Sequence, residues 1–180
     1  MITDPPYVGF GFTAGNYIEA FQPYLNEIVR CAGEEGRVAI SQPLARVKAY
    51  SNLLDTTIVL RIQDAFADHR GDDAYFLLSN PVTNKISTRE EWRDVPATSH
   101  PNPRDVGKMA TLIKVMSAPG DTILDPFCGS GAIGLAAVLL GRNYIGIELD
   151  PLRAEDARRR FVELGVKELD WRRGRDSNPR

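Results

Sequence analysis

The sequence predicts one α/β domain, a mostly parallel sheet layered between helices. The first reason is the stretch Asp121 to Asp150, DTILDPFCGSGAIGLAAVLLGRNYIGIELD, which reads as a strand, a glycine-rich turn, a helix and a second strand. Such a unit lays its two strands parallel and puts the turn at the sheet edge where open α/β sheets take their ligands. The second is that apolar or β-branched runs alternate with helical periodicities along the rest of the chain. The third is size. With 180 residues, 43% hydrophobic and 26% charged, the chain has room for one domain that buries roughly 70% of its unfolded surface.

Composition narrows the partners. A net charge of −2 provides no overall basic field, so contact with nucleic acid has to come from a local patch. Cys31 and Cys128 are too few for a disulfide framework or a structural zinc site, which fits a reducing cytoplasm. No run approaches ~18 apolar residues and no signal peptide is visible, so neither membrane spanning nor export is expected.

From the N-terminus, Met1 to Tyr7 reads MITDPPY. Asp4-Pro5-Pro6-Tyr7 is stiff and extended, because both prolines have fixed φ and residues before proline avoid the helical region. Such a tetrapeptide can simply turn the chain after a strand. It also suits chemistry on an aromatic amine, whose lone pair is delocalised into the ring. A carboxylate (Asp4) and a backbone carbonyl (Pro5) accepting its two hydrogens would localise that lone pair. Pro6 has no N–H to compete for the carbonyl, and Tyr7 offers a face on which an extruded base can stack.

Gly9 to Gly15 is either a loop or a mobile segment closing over the base. Asn16 is placed to cap a helix to about Cys31, with Tyr17, Ala20, Phe21, Tyr24, Leu25 and Ile28 at helical spacing as core. Strands are expected at Arg37 to Ser41, Thr56 to Ile62 and Ala74 to Ser79, and a helix at Leu44 to Leu54. His69 has no ligand-spaced companion and reads as a surface residue. Asn80 to Pro103 is irregular; Lys85, Arg89, Trp92 and Arg93 there could reach phosphates or a base, although a solvated loop is the plainer reading. A helix follows from about Asp105 to Ser117, with Met109, Leu112, Ile113 and Met116 inward.

In the central unit, Thr122 to Leu124 is the first strand, Ala132 to Leu140 the helix and Tyr144 to Leu149 the second strand. Gly129-Ser130-Gly131-Ala132-Ile133-Gly134 is a literal G-x-G-x-x-G, and Glu148 follows Gly129 by 19 residues, so a dinucleotide site and a nicotinamide-dependent oxidoreductase stay open. However, Asp125, Pro126 and Phe127 stand between strand and glycines. A carboxylate there would repel a pyrophosphate and suits a ligand carrying an ammonium group. Glu148 is placed to accept from a pair of ribose hydroxyls. The last helix runs from Asp150-Pro151 to about Leu164, with Ala154, Ala157 and Phe161 inward and Arg153, Arg158, Arg159 and Arg160 outward. The ending WRRGRDSNPR reads as a disordered basic tail. Its Asp176 to Pro179 matches what the complement of a tRNA-gene T-arm would encode, suggesting a frame run past its natural end in a bacterial, phage or mobile element.

Asp4-Pro5-Pro6-Tyr7 followed by DPFCGSG resembles the DNA N6-adenine and N4-cytosine methyltransferases, in the circularly permuted order where the catalytic motif comes first. The likeness runs from Asp4 to about Gly165. It implies a Rossmann-like S-adenosylmethionine-dependent methyltransferase domain over 1–165, followed by the tail 166–180. It implies Asp4, Pro5, Pro6 and Tyr7 as catalytic residues, no metal, and Asp125, Phe127, Gly129, Ser130, Gly131 and Glu148 around the cofactor S-adenosylmethionine. The substrate implied is a flipped adenine in DNA, since an initial Asp usually accompanies adenine and a Ser cytosine; N4-cytosine is the alternative. His100 to Arg104 is similar to the family's element beside the methionine end of the cofactor, with Arg104-Asp105 where Lys-Pro is more common. The family also has a strand ahead of the catalytic one, whereas only Met1-Ile2-Thr3 precede Asp4. Bared edges in the middle of the sheet, weak cofactor binding or an inactive remnant are the corresponding expectations.

Overall fold

The computed structural model describes residues 1–5, 16–34, 36–43, 58–61, 74–78, 95–99 and 104–166. Its elements are β1 (Ile2–Thr3), α1 (Tyr17–Ala32), β2 (Ala39–Pro43), β3 (Ile58–Arg61), β4 (Ala74–Leu78), α2 (Val106–Met116), β5 (Thr122–Asp125), α3 (Ala132–Leu139), β6 (Asn143–Gly146) and α4 (Pro151–Glu163). Four strands lie in the order β1-β2-β4-β3, and β5 pairs with β6. β1 is parallel to β2 and β5 to β6, with Ile2 opposite Ala39 and Ile123 opposite Tyr144. β4 runs against both β2 and β3, so it is the reversed strand in an otherwise parallel set.

The two sheets meet where β1 lies beside β5. There the buried Thr3 Oγ1 donates to Asp125 Oδ1 at 2.8 Å, across 122 residues of chain. No ladder joins β1 to β5, so among the described residues these two strands face each other as unpaired edges, as the expectation of bared edges in the middle of the sheet has it. Among the described residues the outer edge of β6 is bare as well, with Ile145 and Ile147 about half exposed. β6 is also shorter than Tyr144 to Leu149, because pairing with β5 ends at Gly146.

The core lies on β1, β2 and β5. Ile2, Ala39 and Ile123 share a core with Met109, Leu112, Ile113 and Met116 of α2, Ile133, Leu135 and Ala136 of α3, and Phe161 of α4. Val38 and Ile40, on the alternate face of the same strand, are buried outside that cluster, as are Phe21, Leu25 and Ile28 of α1. Each fully buried Leu, Ile or Met contributes about 1.5–3 kcal/mol to this packing. Tyr24 departs from the expected core: it is 49% exposed, standing at the rim where α1 reaches the glycine turn.

Local chemistry fixes the helix ends. Asp105 caps α2 by accepting from the Lys108 N–H at 2.9 Å, and Asp150 caps α4 by accepting from Leu152 N–H at 2.9 Å. Asn16 sits at the corresponding position of α1 without a side-chain capping bond. Arg142 ties the end of α3 to the end of α2, donating to Ser117 O at 2.7 Å and Leu140 O at 2.6 Å. No described helix is long and apolar enough to cross a membrane. The expected helix at Leu44 to Leu54, Gly9 to Gly15, His69, the basic residues of 80–94 and the tail from 167 lie outside the described residues.

Gly134 has a packing reason of its own. A methyl group there would lie 2.3 Å from Tyr144 Cε1 and 2.6 Å from Phe161 Cζ, whose rings stack 5.7 Å apart over α3. The third glycine of the G-x-G-x-x-G pattern thus lets the helix pack closely on β6 and α4, the role that position has in any such pattern. Gly134→Ala is expected to lower stability by about 1–3 kcal/mol through overpacking. Urea unfolding would measure it, and an unchanged midpoint would mean that the rings move aside freely.

Candidate active site

The site forms where β1 and β5 end side by side. Asp4 and the buried Pro5 leave β1, and Asp125 closes β5 before the chain turns through Phe127 to Gly131. Gly129 (φ 52°) and Gly131 (φ 81°) hold the left-handed conformations that this turn needs and that other residues resist. Gly131 also faces α4: a Cβ would meet Ala157 Cβ and Phe161 Cε2, each at 3.2 Å.

Asp125 is fully enclosed. Its Oδ1 accepts from Thr3 Oγ1 at 2.8 Å and from Phe127 N–H at 3.3 Å, and its Oδ2 faces the Tyr144 hydroxyl at 3.4 Å. Burial pushes its pKa from the ordinary 3.8 up to about 7; the negative charge of Asp4 adds to the rise, while the Thr3 and Phe127 hydrogen bonds oppose it. The same burial lifts Cys128 to about 12, so this thiol stays protonated and is not a nucleophile.

Glu148 lies just past β6 and closes the turn from the far side. Its Oε2 accepts from Gly129 N–H at 2.8 Å and its Oε1 from Asp150 N–H at 2.9 Å. One turn N–H therefore points at Glu148 rather than outward, yet each carboxylate oxygen has a second lone pair for a hydroxyl. Phe127 packs against Phe21 and Tyr24 of α1, with ring centroids 6.1 Å apart in both cases. α1 is thereby docked onto the turn.

Ser130 is held from behind by a residue the periodicity had placed outside. Arg160 is buried, not outward: its Nη1 donates to Ser130 O at 2.6 Å and its Nε to Pro96 O at 2.9 Å. A guanidinium tolerates that environment because carbonyl oxygens replace water around it. Arg159 stays exposed, pairing with Asp156 and Glu163 and donating to Ala97 O at 2.7 Å. Together they moor 95–99 to α4 and to the glycine turn.

The structure thus brings together Asp4, Pro5, Asp125, Phe127, Gly129, Ser130, Gly131 and Glu148; Pro6 and Tyr7 lie outside the described residues. Sequence reasoning missed Thr3, Tyr144 and Arg160. It noted the unusual Arg104 without foreseeing that this guanidinium would grip Asp4, Nε to Oδ2 and Nη2 to Oδ1 at 2.7 Å. Departure from the common Lys-Pro pair was its one signal.

Residues 68–159 match the model of the DNA methylase family of N6/N4 enzymes. The chain is 30% identical over 202 residues to the putative methylase YubD of Escherichia coli (strain K12), covering 95% of this chain and 87% of that protein. Among solved structures, the complex of M1.HpyAVI with S-adenosylmethionine has a TM-score of 0.57 at 26% identity, covering 88% of this chain and 86% of that one. The cytosine-N4-specific PvuII DNA methyltransferase has a TM-score of 0.59 at 16% identity, covering 89% and 78%, a likeness in fold alone. Fold and comparisons define a Rossmann-like methyltransferase. The chain belongs to the DNA methylase family, whose cofactor is S-adenosylmethionine.

Proposed function

We propose that this chain transfers a methyl group from S-adenosylmethionine to the N6 amine of adenine in DNA. The observation that carries the reading is the Thr3–Asp125 hydrogen bond of 2.8 Å, which sets the acid of the Asp-Pro-Pro-Tyr motif beside the acid that opens the glycine turn. A methyl donor held at the turn and an amine held at Asp4 would then share one sheet edge, as in-line transfer demands.

The residues fit the cofactor. Glu148 keeps acceptor capacity toward ribose hydroxyls, the turn is braced by Gly129 and Gly131, and Asp125 is a buried acid whose ionised form an ammonium would stabilise. The cofactor supplies an electrophilic methyl group. Asp4 and the Pro5 carbonyl accept the amine's hydrogens, so the nitrogen lone pair is turned out of conjugation toward that methyl. Tyr7 stacks on the base, which has to leave the duplex because its amine is otherwise within the stack. No general base is demanded, since the methylated amine is a cation that sheds its proton readily.

Adenine is preferred over cytosine on the identity of Asp4. The test is to incubate the chain with DNA and methyl-labelled cofactor, digest the DNA and separate the nucleosides. Label in N6-methyladenine supports the proposal, and label in N4-methylcytosine replaces it with the cytosine reading. Bound cofactor without transfer would mark an inactive remnant.

A further inference from the structure

Arg104 is the guanidinium that faces the Asp4 carboxylate, and its placement is built rather than incidental. It comes from 100 residues along the chain, immediately ahead of the Asp105 cap that fixes the start of α2. Nε donates to Oδ2 and Nη2 to Oδ1 at 2.7 Å, with the two side chains 31% and 19% exposed. This forked geometry sets the plane of a carboxylate as well as its position, which an ammonium cannot do. The guanidinium also offsets the repulsion between Asp4 and Asp125, whose strands stand side by side.

We propose that Arg104 is a positioning residue for methyl transfer: its fork fixes the plane and place of the carboxylate that receives the target amine. The role rests on the reading of Asp4 as the acceptor of that amine. It is a role of orientation, because a cation beside Asp4 works against the positive charge that develops on the amine. Charge alone should therefore not replace it, and lysine should restore little.

Arg104→Gln and Arg104→Lys are compared with the wild-type chain in steady-state transfer of labelled methyl to DNA. In both, kcat should fall about 10–100-fold, the scale of a misplaced catalytic group. KM for cofactor and for DNA should stay within about threefold, which a general loss of structure would not leave intact. A thermal-melting cycle over Asp4→Asn, Arg104→Gln and the double variant should show non-additive shifts, as a direct pair requires. An unchanged or higher kcat in Arg104→Gln overturns the proposal, as does a raised cofactor KM with kcat intact. An additive cycle in an active wild-type chain overturns the positioning role alone. A wild-type chain that binds cofactor but transfers no methyl overturns the reading of the site and this role with it, even where the cycle shows coupling.

Discussion

Replacing Asp4 by alanine is expected to cut methyl transfer to DNA on the order of 10²–10⁴-fold, the range over which a positioned hydrogen-bonding group acts on a reacting amine. On the proposed reading the substitution removes the acceptor that would draw the nitrogen lone pair out of the ring, and no other described carboxylate can take its place. Asp125 is fully buried behind Thr3, and Glu148 is engaged with Gly129 and Asp150 N–H groups beyond the turn. Cofactor binding should remain within a few-fold, because the proposed role of Asp4 is toward the amine and not toward the cofactor. Stability should change little, about 1 kcal/mol, since Arg104 is left partly solvated. Single-turnover transfer with cofactor in excess separates the two effects. Transfer at the wild-type rate would remove Asp4 from the chemistry.

Cofactor binding should tighten as pH rises through about 7, and Asp125→Asn should weaken it while abolishing that dependence. The buried carboxyl of the free chain is neutral below about 7, whereas pairing with an ammonium requires its anion. Below that value, affinity is expected to gain up to about tenfold per pH unit, with release of a proton on binding, and then level off. Loss of a charged hydrogen bond worth about 1.5–3 kcal/mol corresponds to roughly 10–100-fold in Kd for the variant at pH 8. Stability should move the opposite way. A carboxyl that holds its proton more tightly when folded contributes fully below its unfolded value of 3.8, and the contribution is lost as pH rises through about 7. Asparagine keeps the Thr3 and Phe127 partners, so the variant's melting temperature should vary less with pH in that range. Titrations in buffers of differing ionisation enthalpy would count the proton. Binding that ignores pH in the wild-type chain would assign the ammonium to another group.

What could be read from the sequence was what is encoded locally. Asp121 to Asp150 specifies its own strand, turn and helix through apolar runs, glycines with positive φ and an Ala/Leu helix, and the structure reproduces it with β6 shortened. α2 and α4 were equally legible, since Asp105 and Asp150 stand at their caps and the buried positions recur at helical spacing. The connections that make a site were not. Thr3 meets Asp125 across 122 residues and Arg104 meets Asp4 across 100, and no periodicity reports on such pairs. Arg160 misled for a related reason. It lies one helical turn from the buried Ala157, but a run of arginines reads as solvated until the carbonyls of Pro96 and Ser130 are seen around it. The reason for Gly134 was likewise not legible, because it lies in the rings of Tyr144 and Phe161 packed over the helix.

Calorimetric titration of the wild-type chain with S-adenosylmethionine, and separately with NAD, tests the assignment of the glycine turn most directly. Saturable binding of one S-adenosylmethionine per chain and no heat from NAD are expected. Binding of NAD in place of S-adenosylmethionine by the folded chain would contradict that assignment.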